Sequence, residues 1–194
     1  MTPLAEKLRK TLKPRPRVEW EIQPQILLHP NIPKPMHGVA PRVVLGLNWW
    51  NRERLLSYKS TDFHCQACGV HKLYAKYHQW LEAHELYDID YAKGRMKYLR
   101  SVPLCHFCHN YIHDGRLQML LDRGEIHHAK FVAIIKHGDS VLKAAGIKKL
   151  SHEKRDELIL NGPLAEWSKW RLVIGRKHYK PLYNSYEEWS EAFE

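Results

Sequence analysis

The chain has 194 residues, a hydrophobic fraction of 44%, a charged fraction of 27% and a formal charge of +10. This is the composition of a globular protein with apolar residues enough for one ordinary domain, or a small domain with elaborations. No stretch approaches the roughly 18 apolar residues of a membrane span, and the opening Met-Thr-Pro-Leu-Ala-Glu-Lys lacks the apolar h-region of a secretory leader. All four cysteines fall in two pairs with two residues between partners, which argues against a disulfide framework and for a reducing, cytoplasmic setting. The positive charge is uneven. Residues 1–60 hold 11 Lys+Arg against 4 Asp+Glu, whereas 61–116 hold 7 against 6 and 117–194 hold 13 against 11. A basic segment of this kind suits a polyanion, and Arg15 and Arg17 within Lys13-Pro-Arg-Pro-Arg17 are candidate phosphate contacts.

In chain order, residues 1–12 suit a short basic helix stopped by Pro14 and Pro16. Seven prolines between 13 and 41 predict extended chain with little regular structure. Pro41 suits a first helical position, and Arg42 to Tyr58 reads as an amphipathic helix with Val43, Leu47, Trp50 and Leu55 on one face. Trp49 and Trp50 are assigned to packing of that helix. Cys65-Gln-Ala-Cys68-Gly69 reads as a metal knuckle, with Gly69 supplying the tight backbone. Tyr74 to Leu86 predicts a strand, Asp90 to Gly94 a turn, and Met96 to Leu104 the returning strand. Cys108 to Leu121 predicts a helix that Gly115 weakens. A further helix is expected over Glu125–His137, and another after Ser151, ending at Asn161-Gly162. Trp170 to Tyr183 reads as a hairpin around Gly175, and Ser185 with Glu188 as a capping box opening a last helix.

The chemistry is concentrated between residues 65 and 113. Cys65, Cys68, Cys105 and Cys108 suit a closed tetrahedral zinc site, which leaves no position for substrate. Residues 69–104 separate the two pairs, far more than the roughly 15–20 of a plain zinc ribbon, and leave room for a hairpin carrying His84. His109 and His113 lie one helical turn apart, so both imidazoles can reach a second cation. Mn, Co, Ni or Zn suits such a pair. Mg would need oxygen ligands as well, which Glu82, Glu85 or Asp114 could supply.

The run Cys65-Gln-Ala-Cys68, Leu81-Glu-Ala-His84-Glu and Leu104-Cys-His-Phe-Cys-His109-Asn-Tyr-Ile-His113 resembles the zinc-stapled HNH endonucleases, the ββα-metal or His-Me finger nucleases. The resemblance covers roughly a quarter to a third of the chain. It implies an α+β fold with a ββα-metal finger core at 61–121. A Pro-rich basic extension would precede that core at 1–60, and a helical and hairpin elaboration would follow it at 122–194. It further implies a DNA endonuclease in which His84 is the general base and His109 and His113 hold a catalytic divalent cation (Mg2+, Mn2+, Ni2+ or Zn2+). Zinc on the four cysteines would be structural, and the products would carry 5′-phosphate and 3′-hydroxyl ends.

Two positions depart from the family pattern. Ala83 stands where many members carry an Asp or His ligand, and no Asn occurs between Met96 and Leu104, where the family's middle Asn usually lies; Lys97, Tyr98, Arg100 and Ser101 stand there instead. Asn110 lies on the helix. The expected partner is double-stranded DNA, with Arg116 a further phosphate contact, in a bacterial or phage-infected cell. Oligomeric state is open, and a homodimer is compatible. The length of the flanks suits site selectivity of a restriction, homing or phage genome-processing kind. The alternative from these residues is a non-catalytic zinc-ribbon protein that binds nucleic acid.

Overall fold

In the computed structural model, residues 19–151, 154 and 164–193 are described, without the Phe193 side chain. Arg15, Arg17, the helix expected over 1–12 and most of the helix expected after Ser151 lie outside the described residues. The Ser151 cap itself is present, its Oγ accepting the Lys154 N–H at 3.3 Å. None of the described helices is long and apolar enough to cross a membrane.

The architecture is α+β. Strands β1 (Glu82–Asp90) and β2 (Arg95–Leu104) form an antiparallel hairpin, and helix α3 (His106–Ile112) follows one residue later. The turn falls where Gly94 adopts φ +65, and a Cβ there would press on the Trp170 backbone nitrogen at 3.1 Å. Strands β3 (Arg171–Ile174) and β4 (Lys177–Tyr179) form the expected second hairpin, with Gly175 at φ +59. β3 pairs in parallel with β2, Arg95 opposite Arg171, so one sheet runs β1-β2-β3-β4.

The Pro-rich segment is folded more than expected. Pro24–Leu28 and Lys34–Met36 form 3-10 turns, and Ile26, Leu27, Met36 and Val39 are buried. Pro24 and Pro35 stand in the opening positions of these turns, where no amide donor is needed, while the apolar residues around them enter two cores. One core gathers Ile26 and Leu27 with the cysteines, Val102, Leu104, Tyr111 and Ile134; the other joins Met36 and Val39 to Tyr87, Met96, Trp170 and Leu172.

The next helix is split into α1 (Pro41–Val44) and α2 (Gly46–Ser60), because Gly46 takes φ +81. Its buried side is not the expected one. Val43 and Leu47 are 62% and 73% exposed, and Leu55 is exposed too. Trp49, Glu53 and Ser57, four residues apart, face the sheet instead. Trp49 meets the Tyr98 ring at 5.8 Å, and the Tyr98 hydroxyl donates to Glu53 Oε1 at 2.6 Å.

β1 begins eight residues later than expected. Lys72–Tyr74 is a 3-10 turn, and Tyr77 has φ +74, which a ladder does not accommodate. The aromatic residues of this stretch pack ring to ring, Tyr77 against Phe107 at 5.1 Å and Trp80 on His78 at 3.7 Å. The helix after the hairpin breaks at His113 (ψ 50), two residues before Gly115. Its second half, α4 (Asp114–Asp122), opens with Asp114 Oδ1 accepting the Gly115 N–H at 2.8 Å. Helix α5 (His128–Ala144) begins and ends later than expected. Helix α6 (Tyr186–Phe193) has its cap as read, with Ser185 Oγ accepting the Glu188 N–H at 3.3 Å, while the Glu188 carboxylate takes the Asn184 N–H at 2.7 Å.

Gly138 brings α5 directly onto α3. A Cβ at this position would overlap the ring of Tyr111, itself 1% exposed and bonded through its hydroxyl to Asp139 at 2.7 Å. Alanine would favour an isolated helix by up to about 1 kcal/mol, but overpacking costs about 1–3 kcal/mol. Gly138→Ala is therefore expected to lower stability in a denaturant titration, and a gain would mean α5 can move away from α3.

Candidate metal centre

One turn and the start of one helix bring the cysteines together. Cys65 and Cys68 lie in a tight turn closed by Gly69 N–H to Cys65 O and Cys65 N–H to Val70 O, both 2.8 Å, with Gly69 at φ +77. Cys105 is the N-cap of α3, and Cys108 lies in its first turn. The four sulfurs lie within 4.8 Å of one another. Thiolates about 2.3 Å from one zinc in a tetrahedron are about 3.8 Å apart; Cys68 Sγ and Cys105 Sγ are separated by 3.8 Å. The set could hold a zinc ion. Burial disfavours the Cys65 thiolate, yet hydrogen bonds from Cys105, Cys108 and Cys68 hold its pKa well below the usual thiol value. His137 of α5 approaches Cys108 Sγ with Nε2 at 3.4 Å, a contact that no spacing in the sequence signals.

A second set combines His84 of β1 with His109 and His113 at the end of α3. One ligand nitrogen from each lies within 4.8 Å of the others. The ring centroids are 5.5 Å apart for His84 and His109, 5.0 Å for His84 and His113, and 4.7 Å for His109 and His113. The break at His113 swings that residue in at the C-cap of α3. His84 is 3% exposed, and neither of its ring nitrogens has a hydrogen-bond partner among the described residues. Burial, followed by the charges of His113 and His109, pushes its pKa well below the usual histidine value. Burial, with His109 and Arg116 nearby, pushes His113 down to about 4. Both rings are thus neutral near pH 7, the state that binds a cation or accepts a proton. With three imidazoles and no oxygen in the set, borderline divalent ions fit better than Mg2+.

Glu82, at the start of β1, fixes the third ring. Its Oε2 accepts from His109 Nδ1, which leaves the opposite nitrogen, Nε2, free to bind. Burial opposes the charge on Glu82, but hydrogen bonds from His106 and His109 hold its carboxyl well below the usual carboxylate range. The other two candidate carboxylates are engaged elsewhere. Glu85 takes Arg42 Nη1 at 3.3 Å, and Asp114 accepts from Asn31 Nδ2 at 3.4 Å.

Among the described residues, none substitutes for an Asn that would orient His84. Ser101, opposite Glu85, and Tyr98 bond to each other at 3.0 Å instead. Asn110 is buried on α3, its amide donating to the His106 carbonyl at 2.8 Å. The Pro-rich segment adds His29, which no motif singles out. Its Nε2 accepts the Tyr87 N–H at 2.9 Å and its ring lies 5.2 Å from that of His84. Arg116 is exposed on α4, close enough for its charge to act on His113. Comparison with family models, with curated proteins and with solved structures finds no match to the chain.

Proposed function

We propose that this protein is a metal-dependent endonuclease that hydrolyses phosphodiester bonds of double-stranded DNA, and that it is an HNH nuclease in chemistry. The observation that carries the proposal is the convergence of His84 from the first strand with His109 and His113 from the following helix, beside a four-cysteine cluster that could hold structural zinc. Phosphodiester hydrolysis needs a water relieved of its proton and positive charge against the phosphate. His84 supplies the proton acceptor: it is neutral, and neither of its nitrogens is engaged in a hydrogen bond among the described residues. His109 and His113 would hold the divalent cation, with Glu82 orienting His109. When bound, that cation would supply charge stabilisation at the scissile phosphate. Arg116, with Arg15 and Arg17, would contact the DNA backbone.

The direct test is cleavage of a plasmid with and without divalent cation. Cation-dependent nicking or linearisation that disappears in His84→Ala supports the nuclease. Binding without cleavage by the wild-type protein would favour the non-catalytic zinc-ribbon alternative. The basic N-terminus is tested separately. Deleting residues 1–18 removes Lys7, Arg9, Lys10, Lys13, Arg15 and Arg17 against one acid, Glu6. The slope of log affinity against log salt is expected to flatten by about 0.9 for every phosphate those residues neutralise. An unchanged slope would assign them to solubility alone.

A further inference from the structure

His78, Glu82 and His106 meet at Glu82 Oε1, the carboxylate oxygen other than the one that faces His109. His78 Nε2 lies 3.0 Å from His106 Nδ1, His78 Nε2 lies 3.1 Å from Glu82 Oε1, and His106 Nδ1 lies 2.9 Å from that same oxygen. Hydrogen bonds alone do not satisfy this triangle. The carboxylate oxygen only accepts, and each ring nitrogen can present one proton or one lone pair. If both nitrogens donate to Glu82, two N–H groups face each other at 3.0 Å. If one donates to the other, an acceptor lone pair is left against the carboxylate.

A cation resolves the conflict. Atoms about 2.1 Å from one ion, on adjacent octahedral or tetrahedral positions, are about 3.0–3.4 Å apart, close to the three edges observed. His78 is held for this role from outside by Trp80, whose ring stacks on it at 3.7 Å and 3°, and its other nitrogen is buried without a partner among the described residues. We propose that His78, Glu82 and His106 form a third cation site of two imidazoles and one carboxylate, which takes zinc, nickel or a similar borderline divalent ion in preference to Mg2+. Glu82 ties it to the three-histidine set, because Oε1 faces His78 and His106 while Oε2 accepts from His109. The site does not depend on the nuclease proposal, since cation binding is read without DNA.

The experiment uses the full chain carrying zinc on its cysteines. After equilibrium dialysis against buffered free Zn2+, elemental analysis is expected to show one equivalent fewer in His78→Ala than in wild type. His113→Ala should lose a different equivalent, and the double variant both. A wild-type count in His78→Ala would overturn the site. Should His78→Ala fail to fold, nickel quenching of Trp80 decides. In His113→Ala, whose three-histidine set is disabled, Ni2+ is expected to quench an emission component that is missing when Trp80→Phe is added. Equal quenching with and without Trp80 would likewise overturn the site, as would displacement of Ni2+ by equimolar Mg2+.

Discussion

His84→Ala is expected to retain zinc, fold and DNA affinity and to lose cleavage by about 10²–10⁴, the usual contribution of a positioned base. Its two nitrogens have no partner among the described residues, so removing the ring breaks no hydrogen bond there. What remains is a small buried cavity, which a thermal melt would register separately from activity. Raising the pH should restore part of the rate, because hydroxide replaces the missing proton acceptor. His113→Ala should respond in the opposite sense. It weakens the cation site, so excess Mn2+ or Ni2+ restores some cleavage while pH does little. The close approach of His84 to His109 and His113 sharpens this contrast. If His84→Ala is rescued by excess cation and not by pH, His84 is a third ligand and the base lies elsewhere. If neither variant is rescued by either means, the division of roles fails.

Cys105→Ser is expected to have the largest effect on stability. Cys105 is the N-cap of α3, and its sulfur meets Cys68 across the gap between the knuckle turn and the helix. The Cys105 side chain makes no capping hydrogen bond, and serine is a favoured N-cap residue, so the helix start should survive; the thiolate ligand does not. Binding of a structural zinc contributes about 10–16 kcal/mol in small zinc domains, as large as the roughly 5–15 kcal/mol by which a whole domain is stable. Losing one of four thiolates should therefore unfold the region around α3 at moderate temperature and release the ion. Elemental analysis of protein purified without added metal, with a melt of the variant, reads both consequences. An unchanged melt, or no zinc in the wild-type protein, would mean that the cysteines hold no structural ion. A chelator that strips the zinc should reproduce the behaviour of Cys105→Ser in the unmodified chain.

Features that depend on short chain segments are legible in the amino-acid sequence. The knuckle at Cys65–Gly69, the turn at Gly94, the hairpin at Gly175 and the Ser185 cap each rest on a few adjacent residues whose backbone preferences are local. The order of strand, strand and helix with His84, His109 and His113 on it follows from spacing in the same way. The buried face of α2 departs from the expected one because apolar periodicity reports which residues could be buried, while Tyr98 and the sheet select Trp49, Glu53 and Ser57. The onset of β1 is late because Tyr77 and Trp80 have strand-like propensity but pack on rings of α3 and His78.

Residue identity and the pitch of a turn or helix are enough to define the four-cysteine set and to pair His109 with His113. The remaining features of the site depend on tertiary packing. It carries His29 of the Pro-rich segment to His84, aligns β3 in parallel with β2 although α3, α4 and α5 lie between them in the chain, and places His137 against Cys108. It also turns Glu82 into the link between two groups of histidines. Contacts of such sequence separation are chosen by the closure of long loops around a common core, and no local periodicity encodes them.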